Sequence, residues 1–172
     1  MKKAVKGNRA SFENLIVFNQ VLMYRVAKSI LSNDADCADA IQETILKAYQ
    51  AIATLREPNY FKTWLIRILM NESYQILRQR NKIVSMDEWV EPSAVESGFE
   101  KVEITELLLK LPIEQRELLQ LFHIDDLSIH DLAILYEAPE NTIKTRLRRA
   151  REKVRDIFAK EDDSKWKNGK TK

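Results

Sequence analysis

Basic side chains are concentrated between Glu140 and Phe158, where seven basic residues stand against three acidic ones. The apolar residues there recur at spacings of four, three, four and three, namely Ile143, Leu147, Ala150, Val154 and Ile157. That spacing predicts a helix with one buried face. The predicted outward residues and their neighbours are Asn141, Thr142, Lys144, Thr145, Arg146, Arg148 and Arg149. Arginine and lysine can pair with guanine edges, threonine with either type of base, and other cations with phosphates, so the surface suits duplex DNA.

A capped turn precedes this basic helix. Ser128 and Asp131 have the arrangement of a capping box, which opens a helix. The apolar residues Leu132, Ala133, Leu135 and Tyr136 follow, and Ala138 and Pro139 end the short helix. A short helix, a tight turn and a longer basic helix form a helix-turn-helix, whose second helix enters the major groove. The alternative interpretation is an ordinary packed helix with a solvated charged face.

A second group of side chains combines aromatic rings with cations. Spacings of three, four, three and four put five residues on one helix face, namely Trp64, Arg67, Asn71, Tyr74 and Arg78. The preceding loop adds Arg56, Asn59, Tyr60 and Lys62. Exposed bases of single-stranded nucleic acid can stack on such rings while cations hold the backbone. The alternative is that Trp64 and Tyr74 are core or half-buried boundary residues.

Three predicted helices build the first half of the chain. They run from Phe12 to Leu31, from about Asp36 to Ala53, and from about Phe61 to Arg80. The second has an inner stripe of Cys37, Ile41, Ile45, Ala48 and Ile52, and the predicted polar face carries Asp36, Asp39, Gln42 and Glu43. The single cysteine is therefore expected to be packing rather than redox chemistry.

The periodicity predicts an all-α protein of two small domains. With only 3 Gly and 4 Pro and a charged share of 31%, the composition favours helices. Residues 1–80 form the first predicted domain, 81–103 an acidic linker, 104–160 the second domain and 161–172 a charged tail. Net charge is only +2, so the separation of charge into blocks is more informative than its sum.

No catalytic or metal-binding constellation is present in the sequence. His123 and His130 lack a cysteine partner, and the glycines Gly7, Gly98 and Gly169 form no phosphate loop. We expect neither an enzyme nor a bound cofactor. No apolar run approaches the roughly 20 residues of a membrane-spanning helix, and no signal peptide follows the N-terminal lysines. A cytoplasmic protein without membrane insertion is expected.

Three segments of the chain together resemble the extracytoplasmic-function sigma factors, the minimal two-domain branch of the sigma-70 family. They are DADCADAIQETILKAYQAI, FKTWLIRILMNESYQILRQR and LPIEQRELLQLFHIDDLSIHDLAILYEAPENTIKTRLRRAREKVR. The resemblance extends from Phe12 to Phe158, and it depends on the order and spacing of the segments. It implies a non-enzymatic subunit that binds core RNA polymerase and directs promoter-specific transcription initiation.

The resemblance also implies a role for each surface. Asp36, Asp39, Gln42 and Glu43 would bind the clamp helices of the largest polymerase subunit. The loop from Arg56 to Lys62 and the stripe from Trp64 to Arg78 would melt and recognise the minus-ten promoter element, with a base flipped into a pocket. The minus-thirty-five element would be recognised by Lys144, Thr145, Arg148 and Arg149, with the neighbouring basic residues on phosphates. The second domain would contact the flap of the second-largest subunit. The acidic linker would thread toward the catalytic cleft, and a membrane-linked anti-sigma protein would restrain the factor in a stress or envelope response.

Two departures from the family pattern and two rival functions remain. Asn141 stands where many relatives have glycine, and Arg148 where many have a small or aromatic residue, so the promoter sequence preferred by relatives cannot be transferred to this chain.

One rival is a transcription regulator whose N-terminal helices sense a signal or dimerise, and which would bind duplex DNA alone. The other is a helical adaptor, which would leave the basic block unexplained.

Overall fold

The computed structural model describes residues 1–84 and 110–168, without the side chains of residue 2, of 82–84 and of 161–168. In the first part the helices are Lys2–Val5 (α1), Arg9–Ile30 (α2), Asp34–Ala51 (α3) and Phe61–Val84 (α4). In the second part they are Ile113–His123 (α5), Ile129–Leu135 (α6) and Glu140–Asn168 (α7). Neither range contains a strand. The predicted all-α fold class is confirmed.

Asparagine side chains begin the two helices that follow loops in the first domain. The side chain of Asn8 accepts a hydrogen bond from the Ser11 amide at the start of α2, and that of Asn33 does the same for Asp36 in α3. The first helix therefore begins before the predicted Phe12. A short α1 also precedes it, which the sequence pattern did not indicate.

The first domain is a packed set of α2, α3 and α4. Met23 and Val26 of α2 and Leu65, Ile66 and Leu69 of α4 are all fully buried, and the two helices pack against each other. Cys37 is buried as well, and this burial raises the pKa of its thiol to about 11, as expected of a packing residue. Helix α4 continues to Val84, beyond the boundary predicted at residue 80.

The second domain contains the predicted helix-turn-helix. Ser128 and Asp131 form the capping box at the start of α6, so that prediction is confirmed. Glu137, in the turn, adopts a positive φ of 49°, a conformation that is uncommon for residues other than glycine. Leu132, Ile143 and Leu147 are buried between α6 and α7. Helix α7 extends to Asn168, past the predicted end at Phe158.

The two domains pack directly against each other. Helix α5 lies against α2, and α6 lies against α4. The linker predicted over 81–103 lies outside the described residues, apart from its first residues in α4. The helix predicted from Thr105 also lies largely outside them.

Candidate nucleic-acid and polymerase surfaces

The recognition helix α7 presents part of its predicted surface to solvent. Ile143, Leu147 and Ala150 anchor the helix in the core. Asn141, Lys144 and Arg148 are exposed on the opposite face, and Thr142 and Thr145 are half-buried. Lys144 lies 3.9 Å from Glu140, and Arg148 lies 3.6 Å from Glu152. Such exposed pairs one helical turn apart are weak, so both cations can turn toward a base or a phosphate.

Arg146 and Arg149 occupy a different side of α7. Although both are exposed, they line a cavity with Tyr74, Glu114 and Tyr136. These two arginines therefore flank the Asn141, Lys144 and Arg148 face.

The predicted stripe on α4 is present as one face of the helix. Trp64 is half-buried, with its ring 5.9 Å from that of Phe61, whereas Asn71 and Arg78 are exposed. A 3-10 turn over Pro58–Tyr60 leads into the helix. Arg56 and Asn59 on this loop are exposed as well. Rings and cations thus lie side by side, as contact with single-stranded bases would require.

Four residues of this predicted surface contact the second domain. Lys62 Nζ donates to the carbonyl oxygen of Asp125 at 2.6 Å, and Tyr60 Oη lies 3.5 Å from His130 Nε2. Arg67 donates through Nη2 to the carbonyl of Ile134 and pairs through Nη1 with Glu137 at 3.0 Å. A cation at the last carbonyls of α6 is favourable because those groups lack partners inside the helix.

The fourth contact is a buried hydrogen bond between Tyr74 and Glu117. Tyr74 Oη donates to Glu117 Oε2 at 2.5 Å, and the glutamate is fully buried. Burial raises the pKa of the Glu117 carboxyl to about 7, against the lowering effect of the hydrogen bond from Tyr74. Sequence reasoning missed Glu117, although its spacing of four from Leu121 puts it on the apolar face of α5.

The polar face of α3 is largely exposed, with one exception. Asp39, Gln42 and Glu43 are exposed. The prediction that Asp36 shares that exposed face is wrong, because its side chain is buried and pairs with Arg80 of α4 at 2.6 Å. A buried carboxylate is tolerated where an arginine forms an ion pair with it.

Two apolar residues extend this α3 face. Leu46 is 51% exposed and Tyr49 is 47% exposed. They follow Gln42 and Glu43 at spacings that put them on the same side of the helix. Neither residue was predicted to belong to this surface, although their spacing indicates that they share the polar face.

A further apolar surface lies on the outer side of α2. Phe18 is 86% exposed, and Val17, Val21 and Tyr24 beside it are also exposed. Tyr24 also lines a groove of about 550 Å³ between the domains, whose basic residues are Arg25, Lys28, Arg116 and Arg151. Contiguous exposed apolar side chains of this kind mark protein interaction surfaces.

Neither histidine forms a metal site with the groups around it. His130 Nδ1 lies 3.3 Å from Glu140, and His123 Nε2 accepts from Arg151 at 3.2 Å. Among the described side chains of residues 1–84 and 110–168, no three metal-ligating groups converge. In the same ranges no helix is long and apolar enough to span a membrane.

Two family models match the chain in the order of the two domains. Residues 15–83 match Sigma-70 region 2, and residues 101–154 match Sigma-70, region 4. The first range contains the α3 face and the α4 stripe. The second contains the helix-turn-helix.

Curated relatives match over most of their length. The chain is 34% identical over 142 residues to the RNA polymerase sigma factor SigV of Bacillus subtilis, covering 81% of this chain and 86% of that protein. It is 30% identical over 175 residues to the ECF RNA polymerase sigma-E factor of Escherichia coli K12, covering 90% of both.

Two solved structures share the fold. One is the sigma factor RpoE in complex with the anti-sigma factor NepR from Bartonella quintana, with a TM-score of 0.76 and 24% identity over 87% of this chain and 97% of that chain. The other is CnrH in complex with the cytosolic domain of CnrY, with a TM-score of 0.72 and 24% identity over 92% of this chain and 94% of that chain.

Proposed function

The chain belongs to the extracytoplasmic-function branch of the sigma-70 family, and we propose that it directs a bacterial RNA polymerase to promoters through two separate DNA-binding surfaces. The observation that carries this proposal is the coincidence of sequence match and surface. Each family region falls on a helical domain that holds one of the surfaces. Residues 1–80 would act in polymerase binding and promoter melting, and residues 104–160 in duplex recognition.

The second domain would recognise the minus-thirty-five element as a duplex. Asn141, Lys144 and Arg148 are exposed at the N-terminal half of α7, which is the part of a recognition helix that meets base edges. Thr142 and Thr145 lie between them. Arg146 and Arg149 flank this face, where contact with phosphates would fix the orientation of the helix.

The first domain would open and hold the minus-ten element. Trp64 and Tyr74 would stack with unpaired bases, while Arg67 and Arg78 hold the backbone. The loop residues Arg56, Asn59, Tyr60 and Lys62 would surround a flipped base, because a base edge outside the duplex can be recognised only after unstacking.

Polymerase would bind on the side of the first domain that carries α3. Asp39, Gln42 and Glu43 provide polar contacts to the clamp helices of the largest subunit, and Leu46 and Tyr49 add apolar area beside them. Asp36 would act indirectly, by fixing α3 to Arg80 of α4. The second domain would contact the flap of the second-largest subunit, and the acidic linker would thread toward the catalytic cleft.

The protein would act in a stress or envelope response and would be restrained by an anti-sigma factor. That partner would hold the protein at the membrane. Support comes from the exposed apolar residues of α2 and from the RpoE relative of the same fold, whose structure was solved in complex with the anti-sigma factor NepR. Phe18→Glu should abolish capture of the anti-sigma factor and leave the binding of core polymerase unchanged. Loss of both would place Phe18 in the polymerase surface instead.

The test that separates a sigma factor from a DNA-binding regulator is the requirement for polymerase. Purified chain and core enzyme are mixed and resolved by gel filtration, and promoter-sized DNA fragments are added to each fraction. A sigma factor forms a complex with core enzyme and retains DNA in that complex. A chain that binds duplex DNA tightly by itself and ignores the polymerase would be a regulator.

A further inference from the structure

The groove between the two domains combines an apolar wall with basic side chains. Its apolar lining comes from Tyr24 of α2, Leu119 of α5, Ile124 at the end of α5 and Val154 of α7. Its volume of about 550 Å³ lies within the range of pockets that hold small molecules. Within the described part of the chain, no aspartate or glutamate lines it. Such a groove suits a molecule that is largely apolar and carries a negative charge.

Two of the four basic residues in the groove are already neutralised by carboxylates. Arg25 pairs with Asp125 at 2.6 Å, and Lys28 pairs with Asp34 at 2.6 Å. These two cations therefore have little charge left to offer a ligand.

The other two basic residues contact only neutral groups. Arg116 donates through Nε and Nη2 to the carbonyl oxygen of Ser29 at 3.0 and 2.7 Å, and Arg151 Nε donates to His123 Nε2 at 3.2 Å. Burial lowers the pKa of the Arg116 guanidinium, because the charged form loses part of its hydration. An anion beside these guanidinium groups would replace that hydration with charge-assisted hydrogen bonds.

The groove is continuous with the outer apolar side of α2. Tyr24 lines the groove and is itself 44% exposed, and Val21 and Phe18 precede it on the same helix as exposed apolar residues. An apolar chain that is longer than the groove would therefore find further apolar surface at this end.

We propose that this groove binds a free amphipathic anion, a molecule with a single apolar chain that ends in a carboxylate or phosphate group. The head group would contact Arg116 and Arg151, and the chain would lie against Leu119, Ile124 and Val154. Because the lining comes from both domains, a bound molecule would stabilise their packing. None of these five residues belongs to a proposed DNA or polymerase surface, so the ligand would act at a separate site.

The test measures binding of sodium decanoate, kept below its micelle concentration, to the full chain by isothermal titration calorimetry. Arg151→Gln removes one of the two cations that lack a carboxylate partner, and Val154→Asp puts a carboxylate on the apolar wall. Arg155→Gln, at an exposed position of α7 outside the groove, is the matched control. Decanol tests the need for the charge, and acetate tests the need for the chain. Circular dichroism verifies that each variant is folded.

The wild type and Arg155→Gln should bind decanoate more tightly than decanol or acetate, and decanoate should raise the urea midpoint of both proteins. Arg151→Gln should weaken the binding by about tenfold, as expected on losing one charge-assisted hydrogen bond. Val154→Asp should abolish it.

Equal binding of decanoate by all four proteins would overturn the site, since adsorption to exposed apolar residues would then explain the heat. Decanol that binds as tightly as decanoate would overturn the role of the anion. Binding to phosphatidylglycerol vesicles without any binding of free decanoate would make the surface a membrane contact. Binding of a glutamate-rich amphipathic helical peptide without any binding of decanoate would give the groove to a protein partner, and either result would overturn the proposal.

Discussion

Tyr74 of α4 donates a 2.5 Å hydrogen bond to Glu117 of α5, and this bond joins the two domains through a fully buried carboxyl group. Tyr74 belongs to the proposed minus-ten surface. Glu117 belongs to the domain proposed to recognise the minus-thirty-five element. Separation of the two domains therefore requires this bond to break, which makes the ionisation of Glu117 relevant to their packing.

Acid should favour the closed state, in which the two domains pack against each other, over an open state in which they have separated. Burial raises the pKa of Glu117 from 4.5 to about 7. Between these two pH values the carboxyl group keeps its proton in the closed chain and has lost it in the open chain. The preference for closure is then fully present below about pH 4.5 and is lost as the pH rises through 7. The full shift in the pKa of Glu117 corresponds to at most about 3 kcal/mol of preference for the closed state. The preference is smaller than this limit because opening removes only the part of the burial of Glu117 that α4 contributes. X-ray scattering between pH 5 and 8 should show expansion with rising pH.

The groups around Glu117 define the control for this titration. Tyr74 faces it from α4, Tyr136 from the end of α6, and Glu114 and Arg116 from α5, while Arg146 and Arg149 of α7 line the adjoining cavity. Glu117→Gln keeps the size of the side chain and removes its ionisation. The variant should stay compact at every pH in the range. The same expansion in this variant would assign the titration to another group.

Substitutions of Asp36 and Asp39 should affect different properties. The first should change the free energy of unfolding, and the second should change the binding of core polymerase. Asp36→Ala removes a mostly buried carboxylate paired with Arg80 and should lower the free energy of unfolding by about 1–3 kcal/mol. Asp39→Ala changes an exposed residue of the same helix, so its effect on unfolding should stay within about 0.5 kcal/mol while core polymerase binding weakens. Urea denaturation and gel filtration with core enzyme measure the two effects. A stable Asp36→Ala protein that fails to bind polymerase would return Asp36 to the binding surface.

Arg148 should determine preference at one position of the minus-thirty-five element. Arg148→Ala should lose about 1–3 kcal/mol of binding on the preferred base and little on substituted promoters. Lys153→Ala, at an exposed site further along the same helix, is the matched control and should leave the preference unchanged. Holoenzyme binding to a set of single-base promoter variants measures both. Uniform weakening on every sequence would make Arg148 a phosphate contact.

Trp64 should matter for promoter opening more than for polymerase binding. Removing a ring that stacks on a base costs about 1–3 kcal/mol, so Trp64→Ala should reduce the open complex and leave core binding intact. Permanganate reactivity of unpaired thymines reports the opening. Trp64→Phe, which keeps a ring, should retain part of it. Full opening by Trp64→Ala would remove this residue from the proposed surface.

Local patterns predicted the parts of the fold that depend on local interactions. The capping box at Ser128 and the helix-turn-helix that follows involve residues three to a few tens apart, so spacing alone could indicate them. The end of α4 at Val84 was missed, because helix ends depend weakly on sequence.

Contacts between distant segments lay beyond the same reasoning. Asp36 and Arg80 are 44 residues apart, and Arg67 and Glu137 are 70 apart. Each of these residues is typical of a solvated surface when its own segment is considered alone. Only the packing of the helices turns one pair into a buried contact and the other into part of a closed domain interface.

The most direct test of the sigma-factor assignment is run-off transcription on fragmented genomic DNA of the source organism, using core polymerase with and without this chain. The account predicts discrete transcripts that appear only when the chain is present and that weaken with the Trp64→Ala variant. Their start sites would also yield the promoter elements needed for the Arg148 experiment. An identical transcript pattern with and without the chain would contradict the assignment.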